Sequence, residues 1–337
     1  MAREERLGVS YVIAQGPGTS REIVDSAILA EKCGFDVALM PEHYYDRDSP
    51  SILGAIAQAT KKITIGTGII NPFSRFPSLV AMTVATLDEL TGGRTLLGLG
   101  SGSVIGAHKD GIPNEFANQK YEFPLGHLEE IVPVIRRLLR GEKVSFRGKF
   151  YNLENVKLNF KPIERNVPIY FGQQGPKMME LAGRIADGVL ITLCCTVPYV
   201  RDVIHRVEDS ERGSGRTRGS VDFAARIITS LSSDSKEAVR RSKQVVGRVF
   251  VNPGARPVIE LTGIKIDVPA LQRAVDSGRY DQLNELVPDD VVEITTASGT
   301  KEHVRNRIEE FRKAGVTLTL LVPIGSNYRE IIRAFST

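Results

Sequence analysis

Cysteine is scarce in this sequence, and the few present are poorly placed for chemistry. The 337 residues include three, Cys33 and the adjacent pair Cys194 and Cys195, and none has the spacing of a zinc or redox motif. A reducing cytoplasm suits such a chain. Long apolar runs are missing as well, since no stretch approaches the roughly 18 residues that a membrane span requires. The amino terminus, MAREERLGVSYV, sets charges before a short mixed strand and reads as untargeted. Runs of like charge are also absent, because the 44 basic and 40 acidic residues are interspersed and leave a net charge of only +4. That balance argues against nucleic acid as a partner. None of the five histidines shares metal-ligand spacing with a cysteine or carboxylate, so no metal site is expected. What is there, 42% apolar and 25% charged residues, is ordinary globular composition, enough for one large core or two modest ones.

The dominant pattern is an alternation of short β-branched runs with amphipathic helical stretches, the mark of parallel βα units. Strands are expected at Leu7 to Ile13, Val37 to Met40, Ile63 to Gly68, Thr95 to Leu99, Ile169 to Phe171, Gly188 to Thr192, Phe223 to Thr229 and Leu318 to Val322. Helices are expected between them, the first from Ser20 to Cys33 with the stop signal Gly34. Eight such strands imply a closed (β/α)8 TIM barrel with insertions. The competing open, doubly wound sheet would stop near six strands and carry a Gly-rich loop after the first, which QGPGTS, Gln15 to Ser20, matches poorly. The whole chain, 1–337, reads as one domain. An inserted hairpin is expected over about 144–153, and helical hairpins that suit a lid over about 252–290.

In such barrels the chemistry sits on the loops after the strands. Strand two ends in Glu42 and His43, strand three in Gly68, Ile69, Ile70 and Asn71, strand four in Gly100, Ser101, Gly102 and Ser103, and strand five in Gly172, Gln173, Gln174, Gly175 and Pro176. The last segment joins a strand to a helix start, where unpaired amides and the helix dipole favour an anion such as phosphate; the plain alternative is an ordinary βα turn. It lacks the Walker lysine pattern, so a nucleoside triphosphate is not expected. The glycines of LGLGSG, Leu97 to Gly102, suit a flat ring lying against the backbone. Glu42 and His43 suit proton transfer or polarisation beside such a ring, unless His43 merely caps its loop. Arg75, near Asn71 and the Pro72 turn, suits either a cofactor anion or solvent. His108 faces substrate or solvent, Cys194 is read as small pocket lining, and His127, His205 and His303 are read as surface residues on helices.

Two stretches resemble the luciferase-like flavin and deazaflavin barrel superfamily, and within it the methylenetetrahydromethanopterin reductase-like oxidoreductases dependent on coenzyme F420. They are TGIINPFSRFPSLVAMTVATLDELTGGRTLLGLGSG, Thr67 to Gly102, and PIYFGQQGPKMMELAGRIADGVLI, Pro168 to Ile191. The resemblance implies a bulge after strand three with a non-proline cis peptide at Gly68-Ile69 that props a tricyclic ring. It also implies a phosphate site at Gln173, Gln174 and Gly175, and a histidine, His43, near the ring. Where methanopterin reductases carry acidic residues in strand one and after the strand-four loop, this chain has Ser10 and Ser103, both assigned to the substrate pocket. The segment VSFRGKFYNLENV, Val144 to Val156, is closer to the monooxygenase branch.

The function so implied is F420-dependent hydride transfer to or from a small or pterin-like substrate, with the barrel holding donor against acceptor and excluding water. One rival is a monooxygenase using reduced FMN from a partner flavin reductase. Another is a non-catalytic flavin-binding barrel. A homodimer is expected by analogy with the family.

Overall fold

The structure is a computed structural model that describes residues 5–11, 17–43, 46–73, 75–100, 123–163, 166–172 and 175–336. The chain opens with β1 (Arg6–Ser10), α1 (Ser20–Lys32), β2 (Val37–Met40), α2 (Ser49–Ala59), β3 (Thr64–Thr67), α3 (Pro77–Thr91) and β4 (Thr95–Leu99). Local chemistry sets the helix ends. Thr19 and Glu22 form a reciprocal capping box on α1, the Asp48 side chain caps α2, and α3 starts at a proline and stops at Gly92 in the left-handed region (φ 66°).

Next come α4 (Pro124–Leu139), the antiparallel pair β5 (Val144–Arg147) and β6 (Asn152–Val156), then β7 (Ile169–Gly172), α5 (Pro176–Ile185), β8 (Gly188–Ile191), α6 (Val197–Gly213), β9 (Asp222–Leu231) and α7 (Ser235–Phe250). Four short helices follow, α8 (Arg256–Thr262), α9 (Val268–Asp276), α10 (Leu283–Leu286) and α11 (Asp289–Thr295); the last three pack on α7 and α8 packs on α6. Leu283 and Val287 press against Gly247 of α7, so this expected insertion is anchored on an outer helix. The chain ends with β10 (Ala297–Gly299), α12 (Lys301–Lys313), β11 (Leu318–Pro323) and α13 (Tyr328–Ala334). Among the described residues no helix is long and apolar enough to cross a membrane.

Eight strands pair in parallel in the order β1, β2, β3, β4, β7, β8, β9, β11, and β11 returns to β1, closing a (β/α)8 TIM barrel. The strand ends move by a few residues from the sequence-based ranges, and β10 is an addition. Its three residues pair with the extended end of β9, Thr229 to Leu231, and Ala-Ser-Gly is too short and too weak in β propensity to announce itself.

Alternation along the strands separates two cores. Inside the barrel lie Val37, Leu39, Leu96, Tyr170, Leu190, Ala224, Leu318 and Leu320; outside, a larger apolar layer joins strands to helices. The lower barrel ends in a polar knot around Asp222, whose carboxylate takes hydrogen bonds from Arg6, Tyr170 and Thr317. Burial opposes the charge, but Arg6 and these bonds hold the carboxyl below its usual value of 3.8. A depressed folded pKa stabilises the fold above the unfolded value, and the contribution vanishes as pH falls through the folded one. The urea midpoint is therefore expected to drop more between pH 5 and pH 3 in the native protein than in Asp222→Asn; equal drops would contradict this.

Candidate active site

The pairing of β3 with β4 stops after Gly66 and Leu96 and resumes only at the bridge between Ile70 and Leu99. In the gap, the Thr67 hydroxyl accepts from the Gly98 N–H (3.0 Å) and donates to the Gly98 carbonyl (2.8 Å), standing in for a ladder. The freed backbone forms a bulge whose Gly68-Ile69 peptide is cis. Three of its backbone groups are held from different directions. Gly68 N–H donates to Met40 O (2.9 Å), Ile69 O accepts from Glu42 N–H (3.2 Å), and Gly68 O accepts from Arg226 on β9 (3.3 Å).

Three strand ends meet at this bulge. A side chain on Gly172 would begin 3.0 Å from Ile69, and one on Gly100 would begin 3.2 Å from Ile69 and 3.5 Å from Gly172. The glycines thus allow the ends of β4 and β7 to close around a half-buried Ile69 at the mouth of the barrel. Beyond β7, Gly175 precedes α5 with φ 82°, a conformation glycine tolerates, and Pro176 begins the helix. Gly175, the N-cap of α5, has no side chain to cap the helix, which suits an anion at its first amides.

His43 follows β2 and is exposed at this mouth. Its pKa is nevertheless lowered from 6.5, first by desolvation and then by the charge of Arg226, against the pull of Asp46. Glu42 and His43 do not act as a hydrogen-bonded pair. The Glu42 carboxylate instead takes Arg75 Nε at 2.7 Å, and Arg75 also reaches Asp48 at 2.7 Å, linking the turns after β2 and β3. Arg75 is thereby paired within the protein and only partly exposed, while Oε2 of Glu42 is buried without a partner.

Asn71 is buried and accepts the Phe73 N–H at 2.7 Å, and Ile70 is fully buried. Ser10 is buried at the end of β1, with its hydroxyl unpartnered. Cys194 is buried in the outer layer between barrel and helices, in the left-handed region (φ 57°), with burial raising its thiol pKa; it is core and not open pocket lining. Ser101, Gly102, Ser103, His108, Gln173 and Gln174 lie outside the described residues.

His127 is not the surface residue its helix suggested. It packs, tilted, between Phe73 (4.6 Å between centroids) and Phe150 (4.1 Å), and its Nδ1 lies 3.0 Å from the Tyr151 hydroxyl, which donates to the Pro72 carbonyl (3.1 Å). The hairpin therefore braces the turn after β3. Glu130 of α4 fixes it in place by accepting the N–H groups of Lys149, Phe150 and Tyr151. Thr67, Tyr151 and Arg226 were not marked by the sequence reading. For Arg226 a signal existed, a single charge at an inward position of the apolar run FAARIIT.

Residues 7–318 match the family model described as luciferase-like monooxygenase. The 5,10-methylenetetrahydromethanopterin reductase of Archaeoglobus fulgidus is 34% identical over 315 residues, covering 90% of each chain. Two solved structures superpose over nearly the full length. The coenzyme F420-dependent tetrahydromethanopterin reductase of Methanopyrus kandleri does so with a TM-score of 0.87 at 28% identity, covering 99% of this chain and 98% of that one. An F420-dependent secondary alcohol dehydrogenase, solved with an F420-acetone adduct, has a TM-score of 0.79 at 25% identity, covering 99% and 97%.

Proposed function

The chain belongs to the luciferase-like monooxygenase family, and from that premise we propose that it is a coenzyme F420-dependent oxidoreductase transferring a hydride to or from a small or pterin-like substrate. The observation that carries the reading is the convergence of Gly68, Ile69, Gly100 and Gly172 into one glycine-lined seat. The residues present fit the cofactor. Gly100 and Gly172 make room for the Ile69 side chain at the mouth, against which a planar ring would rest, and the amides at the start of α5 suit its phosphate, together with Gln173 and Gln174 in this proposal.

When bound, the deazaflavin supplies a two-electron hydride donor or acceptor at one ring carbon. The chain's own part is placement and proton control. The bulge, fastened by Thr67, the Glu42 N–H and Arg226, fixes Ile69 at the mouth, where it would support the ring. His43, neutral near pH 7 because its pKa is lowered, is free to donate or accept a hydrogen bond at the reacting centre. Glu42 acts as a positioning residue through Arg75. The reading includes one barrel domain, a cytoplasmic location and a homodimer, for which exposed Phe76, Met82 and Leu90 offer apolar surface on and beside α3.

The test is to mix purified protein with reduced F420 and record its binding, and its oxidation on adding acceptors, methylenetetrahydromethanopterin among them. Binding with acceptor-dependent oxidation is expected. Neither binding nor oxidation with any acceptor would sink the reading, and oxygen uptake with reduced FMN instead would favour the monooxygenase alternative.

A further inference from the structure

Arg226 is a cation for which the described residues provide no carboxylate. In the barrel order β9 lies four strands from β3 in either direction, so the side chain crosses the lumen to reach the Gly68 carbonyl. That single bond, at 3.3 Å, occupies one of the five N–H donors of a guanidinium. Nε is buried with no partner, and the neighbour that favours the charge is a thiol, Cys195, whose own pKa burial pushes up to about 12.

The surroundings share this character. Arg226 is level with Leu320 and, through it, with Gly8; the next inward position toward the mouth on β1 is Ser10, whose buried hydroxyl is also unpartnered. His43, at the mouth, lies within electrostatic reach of Arg226, whose charge adds to burial in lowering its pKa. A guanidinium and a hydroxyl at inward positions of the barrel, and an imidazole at its mouth, thus all lie toward the same end of the barrel, the first two with buried polar atoms left unpartnered. The Glu42 carboxylate nearby is already bound to Arg75.

A clamp on the Gly68 carbonyl alone would need only a neutral amide. A desolvated guanidinium costs more to place there and leaves its planar fork, the shape that matches a carboxylate, largely free. Resting on the F420-dependent reading, we infer that Arg226 is the substrate-recognition residue of this pocket and that the hydride acceptor or donor carries a carboxylate. A cationic substrate is disfavoured at the same site by charge repulsion.

Benzoate and benzamide, nearly isosteric and differing in one charge, probe this on cofactor-free protein. Binding is read from the His43 imidazole resonances in the native protein and in Arg226→Gln, which keeps a donor for Gly68. Benzoate is expected to bind the native protein at least about tenfold more tightly than benzamide, and the preference to fall to near one in the variant. Bound benzoate should also raise the His43 pKa, and benzamide should not. Equal binding of the two probes, no binding of benzoate, or an undiminished preference in Arg226→Gln would each overturn the inference. Reduced F420 binding, measured separately on both proteins, tells failure of this inference from failure of the cofactor assignment. If F420 binds and benzoate does not discriminate, only the carboxylate assignment falls.

Discussion

Substituting His43 with alanine is expected to lower kcat/KM for F420-dependent hydride transfer by about 100-fold or more, with F420 affinity changed only a few fold. The imidazole is exposed at the mouth and makes no hydrogen bond to Glu42, while Ile69 and the start of α5, proposed above to hold the cofactor, are built from other residues. Desolvation and the Arg226 charge lower its pKa from 6.5, so activity that needs the neutral ring should persist below that pH and fail only further down. Removing the Arg226 charge should shift this acid limb upward. The same depression makes the fold less stable in acid, because the unfolded chain takes up the proton first as pH falls below 6.5. A circular dichroism trace at each pH therefore has to accompany the kinetics. Retention of kcat/KM within threefold in His43→Ala would make His43 a loop residue and remove it from the mechanism.

Gly98→Ala is expected to have the largest effect on stability, about 4 kcal/mol or more, a large share of the roughly 5–15 kcal/mol that holds a whole fold. An added Cβ would lie 2.1 Å from the Thr67 carbonyl oxygen and 3.1 Å from Leu190 Cδ1. Leu190 can rotate, but the carbonyl belongs to a strand tied to its neighbours on both sides. The Thr67 hydroxyl, bonded to the Gly98 N–H and carbonyl, prevents the strands from parting without two further losses. Gly213→Ala, at the end of α6 with open space around it, is the control and should change stability by less than about 1 kcal/mol. Soluble yield and urea midpoints decide the matter, and a Gly98→Ala midpoint within 1 kcal/mol of the native value would refute the packing account.

Much of the fold was legible along the chain because its determinants are local. β-branched runs such as Ile63 to Ile65, helix starts such as Thr19 and Asp48, and stops such as Gly92 act over a few residues. The strand count followed from them, and with it the closed barrel. The candidate site was legible by place and less so by partnership. His43, Gly68, Gly100 and Gly172 were marked because they follow strands, yet Glu42 was assigned to proton chemistry when its partner is Arg75, 33 residues away. His127 looked like a helix surface residue because the hairpin that covers it packs from a different part of the chain.

Periodicity, capping and turn chemistry sufficed to set the eight barrel strands, the helices between them and the strand ends where the candidate site lies, since each depends on neighbours a few positions apart. Which groups are paired and which are left with spare donors was decided only when the barrel closed. Closure brought β9 across from β3 and placed Arg226 against the Gly68 carbonyl, a contact between residues 158 positions apart that no local pattern encodes.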